Sequence, residues 1–68
     1  MAERRLRNRL KNIRGARGLT QADLAALVGV SRKTINTIEN DVFTPSTLLA
    51  LSLAEALKMK VEEIFYLE

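Results

Sequence analysis

Residues 20–40, TQADLAALVGVSRKTINTIEN, constrain this chain more than any other stretch. Apolar Leu24, Val28, Val30, Ile35 and Ile38 recur there with small Ala25 among them, and Gly29 divides the run. At helical spacing the pattern predicts two short helices, 21–28 and 32–39, joined by a tight turn at Gly29. The first helix braces the second. The second keeps a polar, basic side that the first does not cover.

The punctuation has mechanical reasons. The Thr20 hydroxyl can accept a free backbone N–H of the first helical turn. Asp23 places a carboxylate in that turn, where the helix dipole favours it, as a short-armed relative of the capping box. Ala25 falls where the two helices cross, and a larger side chain would push them apart. Gly29 ends the first helix with a positive φ, which glycine adopts at little cost. Ser31 caps the second helix, and Val30 is expected to point into the core.

Two helices so joined form a helix-turn-helix, in which the second helix can enter the major groove of DNA. The segment resembles the Xre family, the phage repressor and Cro type of transcriptional regulator. Gln21, Ala25, Gly29, Val30, Ile35, Ile38 and the Glu39-Asn40 pair carry the resemblance. It continues through Pro45-Ser46, the Leu/Ala-rich helix after them and Val61-Glu62-Glu63-Ile64-Phe65, covering about Leu10 to Phe65. It implies an all-α, lambda repressor-like bundle of about five short helices, a DNA-binding domain with little else attached, often a dimer.

Length and composition agree. The 68 residues make one domain, 1–68, at most. A chain this short buries only about 60% of its unfolded surface, so its stability margin is thin without a partner. Cysteine and histidine are absent, which removes a disulfide framework, a thiolate site, the commonest general base and the commonest transition-metal ligand. No cofactor, metal or small-molecule substrate is expected, and the chain is read as a non-enzyme. No apolar run approaches the roughly 18 residues of a membrane helix, and no apolar segment follows the basic N-terminus as a signal peptide requires. A cytoplasmic protein is expected.

The net charge of +3 hides an asymmetry. Residues 1–38 carry nine Lys or Arg against Glu3 and Asp23, whereas residues 39–68 carry Lys58 and Lys60 against six acids. A lone basic run is usually a solvated surface. Together with a reading helix it suggests one face turned toward a polyanion.

A coarse pass adds a first helix capped by Asn8 and running to Arg17, with Gly18 as its stop. Pro45 suits the first turn of a fourth helix ending near Lys58, with Leu49, Ala50, Leu53 and Leu57 facing the core. A short fifth helix spans about Val61–Tyr66. Lys58 and Lys60 stand where the family has a terminating glycine and a capping serine or threonine, so the fifth helix either starts raggedly or relies on packing. Leu48 falls off the core stripe and is expected to be exposed, and Phe43 is expected to cover the core. Residues Arg4–Arg7 and Phe65–Glu68 either pair as a two-stranded ribbon or fray.

The resemblance implies that the start of the third helix touches base edges, at Arg32, Lys33, Asn36 and Thr37. Their chemistry fits independently. Arginine pairs with guanine, lysine reaches guanine or phosphate, asparagine pairs with adenine, and threonine offers a methyl or a hydroxyl. Gln21 and Asn40 match positions that contact the DNA backbone in the family. Ser31 and Thr34 are caps or phosphate contacts. The loop has Asp41, Val42 and Phe43 where many relatives have basic residues, so phosphate grip falls to others, among them Arg17 and Thr44. Arg14 and Glu39 match a partly buried family ion pair.

The resulting expectation is a sequence-specific regulator of double-stranded DNA, a repressor acting as a homodimer on a pseudo-palindromic operator. Leu57, Met59, Val61 and Ile64 form the expected dimer interface, with Phe65 and Leu67 at its edge. The alternative is a helix-turn-helix protein-interaction module of antitoxin-like or coactivator-like kind.

Overall fold

The computed structural model describes residues 3–68; the domain expected over 1–68 thus includes two residues outside the described range. Its elements in chain order are β1 (Leu6–Asn8), α1 (Leu10–Ala16), α2 (Gln21–Val28), α3 (Arg32–Glu39), α4 (Thr47–Leu57), α5 (Val61–Ile64) and β2 (Phe65–Leu67). The fold is mainly helical, and α2 packs most extensively on α3.

The centre of the molecule takes side chains from every helix. Leu10, Leu24, Ile35, Ile38, Leu53, Leu57 and Ile64 are all essentially inaccessible to solvent. Ala25, Ala54 and Phe65 complete this core. Burial of side chains of this size is the main stabilising term for so short a chain, at about 1.5–3 kcal/mol each before ordering entropy is set against it. Val28, Val30, Leu49 and Ala50 pack at the margin of the core, partly covered.

Local chemistry explains the helix ends. Thr20 and Asp23 form a reciprocal capping box: Asp23 N–H donates to Thr20 Oγ1 at 3.0 Å, and Thr20 N–H donates to Asp23 Oδ2 at 2.9 Å. The Thr20 hydrogen bonds hold the Asp23 carboxyl below its ordinary value. Gly29 closes α2 at φ 73°, and its N–H donates to the Ala25 carbonyl. Ser31 caps α3 through Thr34 N–H at 3.2 Å.

Several boundaries differ from the sequence expectation. Asn8 does not cap α1 as its first residue. It pairs with Phe65 in the ribbon, so the helix begins two residues later, although Asn8 Oδ1 still accepts from Leu10 N–H at 3.1 Å. The fourth helix begins beyond Pro45, because Ser46 is the cap and accepts from Leu49 N–H at 3.1 Å. The fifth helix stops at Ile64, since Phe65 onward is extended and pairs with β1. Phe43 does not cover the core; it stands 46% exposed. Leu48 is exposed, as its position predicts.

The ribbon is antiparallel and pairs Leu6 with Leu67, Arg7 with Tyr66 and Asn8 with Phe65, one to two residues later on the N-terminal side than Arg4–Arg7. The Arg9 guanidinium lies 4.1 Å from the centre of the Tyr66 ring. The N-terminus of α5 is not ragged. Glu63 Oε1 reaches back to accept from Lys60 N–H at 2.8 Å, which replaces half of what a capping serine would supply.

Candidate nucleic-acid interface

Helix α3 has one apolar and one polar side. Ile35 and Ile38 are buried, while Arg32 and Lys33 are exposed and Asn36 and Thr37 half-buried. Residues 32, 33, 36 and 37 therefore form one continuous surface over the first two turns, as the i, i+4 periodicity requires. Thr37 Oγ1 donates to the Thr34 carbonyl at 2.9 Å. Its O–H proton is thus used within the helix, which leaves the hydroxyl oxygen as an acceptor and the methyl for outside contacts.

A chain of polar contacts ties this surface to the interior. Arg14 on α1 sends Nε to Glu39 Oε2 at 2.6 Å and NH2 to Oε1 at 3.1 Å. The side chains are 14% and 2% exposed, respectively, so the pair is buried on its carboxylate side. Burial pushes the Glu39 carboxyl up, but hydrogen bonds from Arg14 and Gln21, with the Arg14 and Lys11 charges, bring it below its ordinary value. The Glu39 contact in turn raises the Arg14 guanidinium. Gln21 Nε2 donates to Glu39 Oε1 at 3.0 Å, and Gln21 Oε1 accepts from Arg32 NH1 at 3.1 Å. Gln21 is expected at phosphate from its position in the chain; its link to Glu39 and Arg32 is not legible there, because residues 21, 32 and 39 meet only once α2 crosses α3.

The remaining expected phosphate contacts are divided. Ser31 and Thr34 share a hydroxyl–hydroxyl contact of 2.9 Å at the start of α3. Asn40 Nδ2 donates to the Asn36 carbonyl at 2.8 Å and so closes the helix end. Thr44 is exposed. Arg17 NH1 donates to the Leu57 carbonyl, at the C-terminus of α4.

The loop after α3 is held from the ribbon. Asn8 Nδ2 donates to the Ile38 carbonyl at 2.9 Å and to Asp41 Oδ1 at 3.1 Å. Arg7 Nε lies 3.1 Å from Asp41 Oδ2, and Arg7 NH1 donates to Glu68 Oε1 at 2.9 Å. Arg7 and Arg14 thus neutralise acids of the C-terminal half, and the charge division along the chain is partly cancelled in space. On α3, the Arg32 and Lys33 charges have no acidic partner among the described residues.

The expected dimer residues separate as well. Leu57 and Ile64 are fully buried within the chain, and Phe65 is 8% exposed, so all three belong to the core. Met59 and Val61 are only partly covered, and Leu67 is 53% exposed. Among the described residues no cluster of acidic side chains suited to a metal ion occurs, and no helix is long and apolar enough to cross a membrane.

Comparison with known proteins agrees with this geometry. A helix-turn-helix family model matches residues 10–64. The chain is 41% identical to YgzD, an uncharacterised HTH-type transcriptional regulator of Bacillus subtilis, over 93% of this chain and 96% of that one. It is 44% identical to an uncharacterised HTH-type transcriptional regulator of Methanocaldococcus jannaschii, again over 93% and 96%. Among solved structures, the restriction-modification controller protein C.AhdI of Aeromonas hydrophila superposes with a TM-score of 0.77 at 36% identity, covering 81% of this chain and 83% of its own. A putative DNA-binding protein of Bacteroides fragilis shares the fold, with a TM-score of 0.81 at 24% identity over 90% and 98%. The chain belongs to the Xre-like helix-turn-helix family, whose relatives here carry the name of HTH-type transcriptional regulators.

Proposed function

We propose that this protein is a sequence-specific double-stranded DNA-binding regulator that represses transcription as a homodimer on a pseudo-palindromic operator. The observation that carries the reading is the α3 surface: Arg32, Lys33, Asn36 and Thr37 lie side by side, opposite buried Ile35 and Ile38. Those four side chains match the donor, acceptor and methyl pattern of base edges in the major groove. Gln21 positions Arg32 and lies at the N-terminus of α2, where a backbone phosphate is favoured. The names of the relatives support a binding role rather than a catalytic one. Repression needs only occupancy of promoter DNA, so the proposal requires no reacting group, cofactor or metal, and it places the protein in the cytoplasm with its template.

One recognition helix reads only a few base pairs, too few to single out a genomic site, and two copies are the simplest remedy. Met59 and Val61, only partly covered, and exposed Leu67 are the expected interface residues that the core leaves accessible to a partner. Two recognition helices about 34 Å apart would then read half-sites about 10 base pairs centre to centre.

Selection of bound duplexes from a random pool, followed by titration at several salt concentrations, tests the reading. A recurring inverted repeat bound with a steep salt dependence is expected. Weak binding blind to sequence would overturn it in favour of a protein-interaction module.

A further inference from the structure

The loop after α3 carries two apolar residues in an unusual place. Val42 is 77% exposed and Phe43 46% exposed, directly beside the reading surface. With Ser31, Lys33, Thr34 and Thr37 they line a shallow, mostly apolar pocket of about 350 Å³. Two of those six, Lys33 and Thr37, belong to the surface read above as base-contacting, so the pocket and that surface are continuous.

The exposure of this pair is built in. Val42 N–H and Phe43 N–H both donate to the Thr37 carbonyl, at 2.9 and 3.2 Å. The loop turns at Asp41 with φ 60°, a left-handed conformation that costs a non-glycine residue stability. The Asp41 carboxylate is held by Asn8 Nδ2 and Arg7 Nε, each at 3.1 Å. These contacts tie the loop down on both sides of its turn, with Val42 and Phe43 facing outward. They also neutralise the Asp41 carboxylate, which would otherwise repel a phosphate backbone next to α3.

We propose that Val42 and Phe43 complete an apolar reading pocket that takes the C5 methyl edge of a thymine in the major groove. The thymine methyl is the apolar group that base edges display there. Thr37 lines the same pocket, and with its O–H donated to the Thr34 carbonyl it adds no free donor there. Lys33 at the rim supplies the positive charge that draws the polyanion alongside. The depression is larger than a single methyl group. The pocket thereby adds a base preference beyond those of Arg32 and Asn36, and it rests on the DNA-binding reading.

The test uses the duplex that the wild-type protein selects from a random pool. Each thymine is replaced in turn by deoxyuridine, which removes the methyl and preserves base pairing. Burial of one methyl is worth about fourfold in an equilibrium constant. Replacement at one symmetry-related thymine of each half-site should weaken wild-type binding by about that factor per half-site. Val42→Ser and Phe43→Ser should weaken binding to the thymine duplex and become indifferent to deoxyuridine at that position. Both should keep the preference set by Arg32. Phe43→Leu, which preserves an apolar wall, should retain discrimination, and this variant guards against a fold defect in Phe43→Ser. A wild type that selects a site yet ignores every deoxyuridine replacement would overturn the pocket and leave the DNA reading standing. So would serine variants that discriminate as wild type does, which would assign Val42 and Phe43 to a protein partner. A wild type that selects no sequence overturns both readings together.

Discussion

Gln21 donates its amide Nε2 to Glu39 Oε1 at 3.0 Å, which turns its carbonyl oxygen toward Arg32 NH1 at 3.1 Å. The buried carboxylate therefore fixes the orientation of the amide, and the amide fixes the guanidinium. Arg32→Ala is expected to weaken specific binding by about 1–3 kcal/mol and relax preference at one base pair of each half-site. Gln21→Ala should weaken all sequences and also partly relax that same base pair. Parallel selections with both variants check this. A Gln21→Ala profile identical to wild type would leave Gln21 as a phosphate ligand alone.

The Arg14–Glu39 pair should be strongly coupled. A double-mutant cycle measured by thermal unfolding is expected to give a coupling energy well above the roughly 0.2–1 kcal/mol of an exposed pair. Glu39→Ala alone should also lower stability, because it removes two of the hydrogen bonds of the Arg14 guanidinium and leaves it the Leu19 carbonyl at 2.9 Å. Coupling near zero would show that the pair contributes nothing to the fold.

The same pair sets an acid limit. Glu39 titrates below its ordinary value of 4.5 in the folded protein. A carboxyl with a depressed folded pKa contributes stability that is fully present above its unfolded pKa and is lost as pH falls through the folded one. The stability difference between wild type and Glu39→Gln should thus be constant near neutrality and shrink as pH drops below about 4.5. Denaturant titrations across pH 3–7 measure it. A difference that grows toward low pH would contradict the assigned direction.

Lys58 ends α4 at φ 55°, in the left-handed region. A residue with a Cβ pays about 1–2 kcal/mol there, and glycine does not. Lys58→Gly is expected to raise stability by about 0.5–1 kcal/mol after the added freedom of the unfolded chain is counted. Its denaturation midpoint should rise with an unchanged slope. A fall would mean that the lysine side chain contributes contacts outweighing the backbone cost.

Val61 is the sharper choice for the partner surface, because it is partly covered while Leu57 and Ile64 are core. Sedimentation at micromolar concentration should find wild type dimeric and Val61→Glu monomeric but folded. Affinity for an inverted repeat should then fall by far more than affinity for a single half-site. A monomeric wild type, or a dimeric folded Val61→Glu, would remove this interface.

What could be read along the chain was whatever local chemistry dictates. Thr20, Asp23, Gly29 and Ser31 punctuate α2 and α3 through contacts three or four residues apart, so their bounds, Gln21–Val28 and Arg32–Glu39, follow from the sequence. The apolar spacing of Leu24, Ile35, Ile38 and Leu53 likewise marks the buried sides before any packing is known. The ends of the chain were not legible in this way. Whether Phe65–Leu67 continues α5 or becomes a strand depends on a partner about sixty positions away. Arg9 N–H donating to the Ile64 carbonyl at 2.8 Å belongs to that long-range choice. The same holds for the loop that carries Phe43, tied to the ribbon through Asn8, Arg7 and Asp41, and for Gln21, whose two partners lie on α3. Sequence by itself determined the elements closed by neighbouring residues. Tertiary structure decided how they meet, because contacts between residues distant in the chain form only when the shared core brings their backbones together.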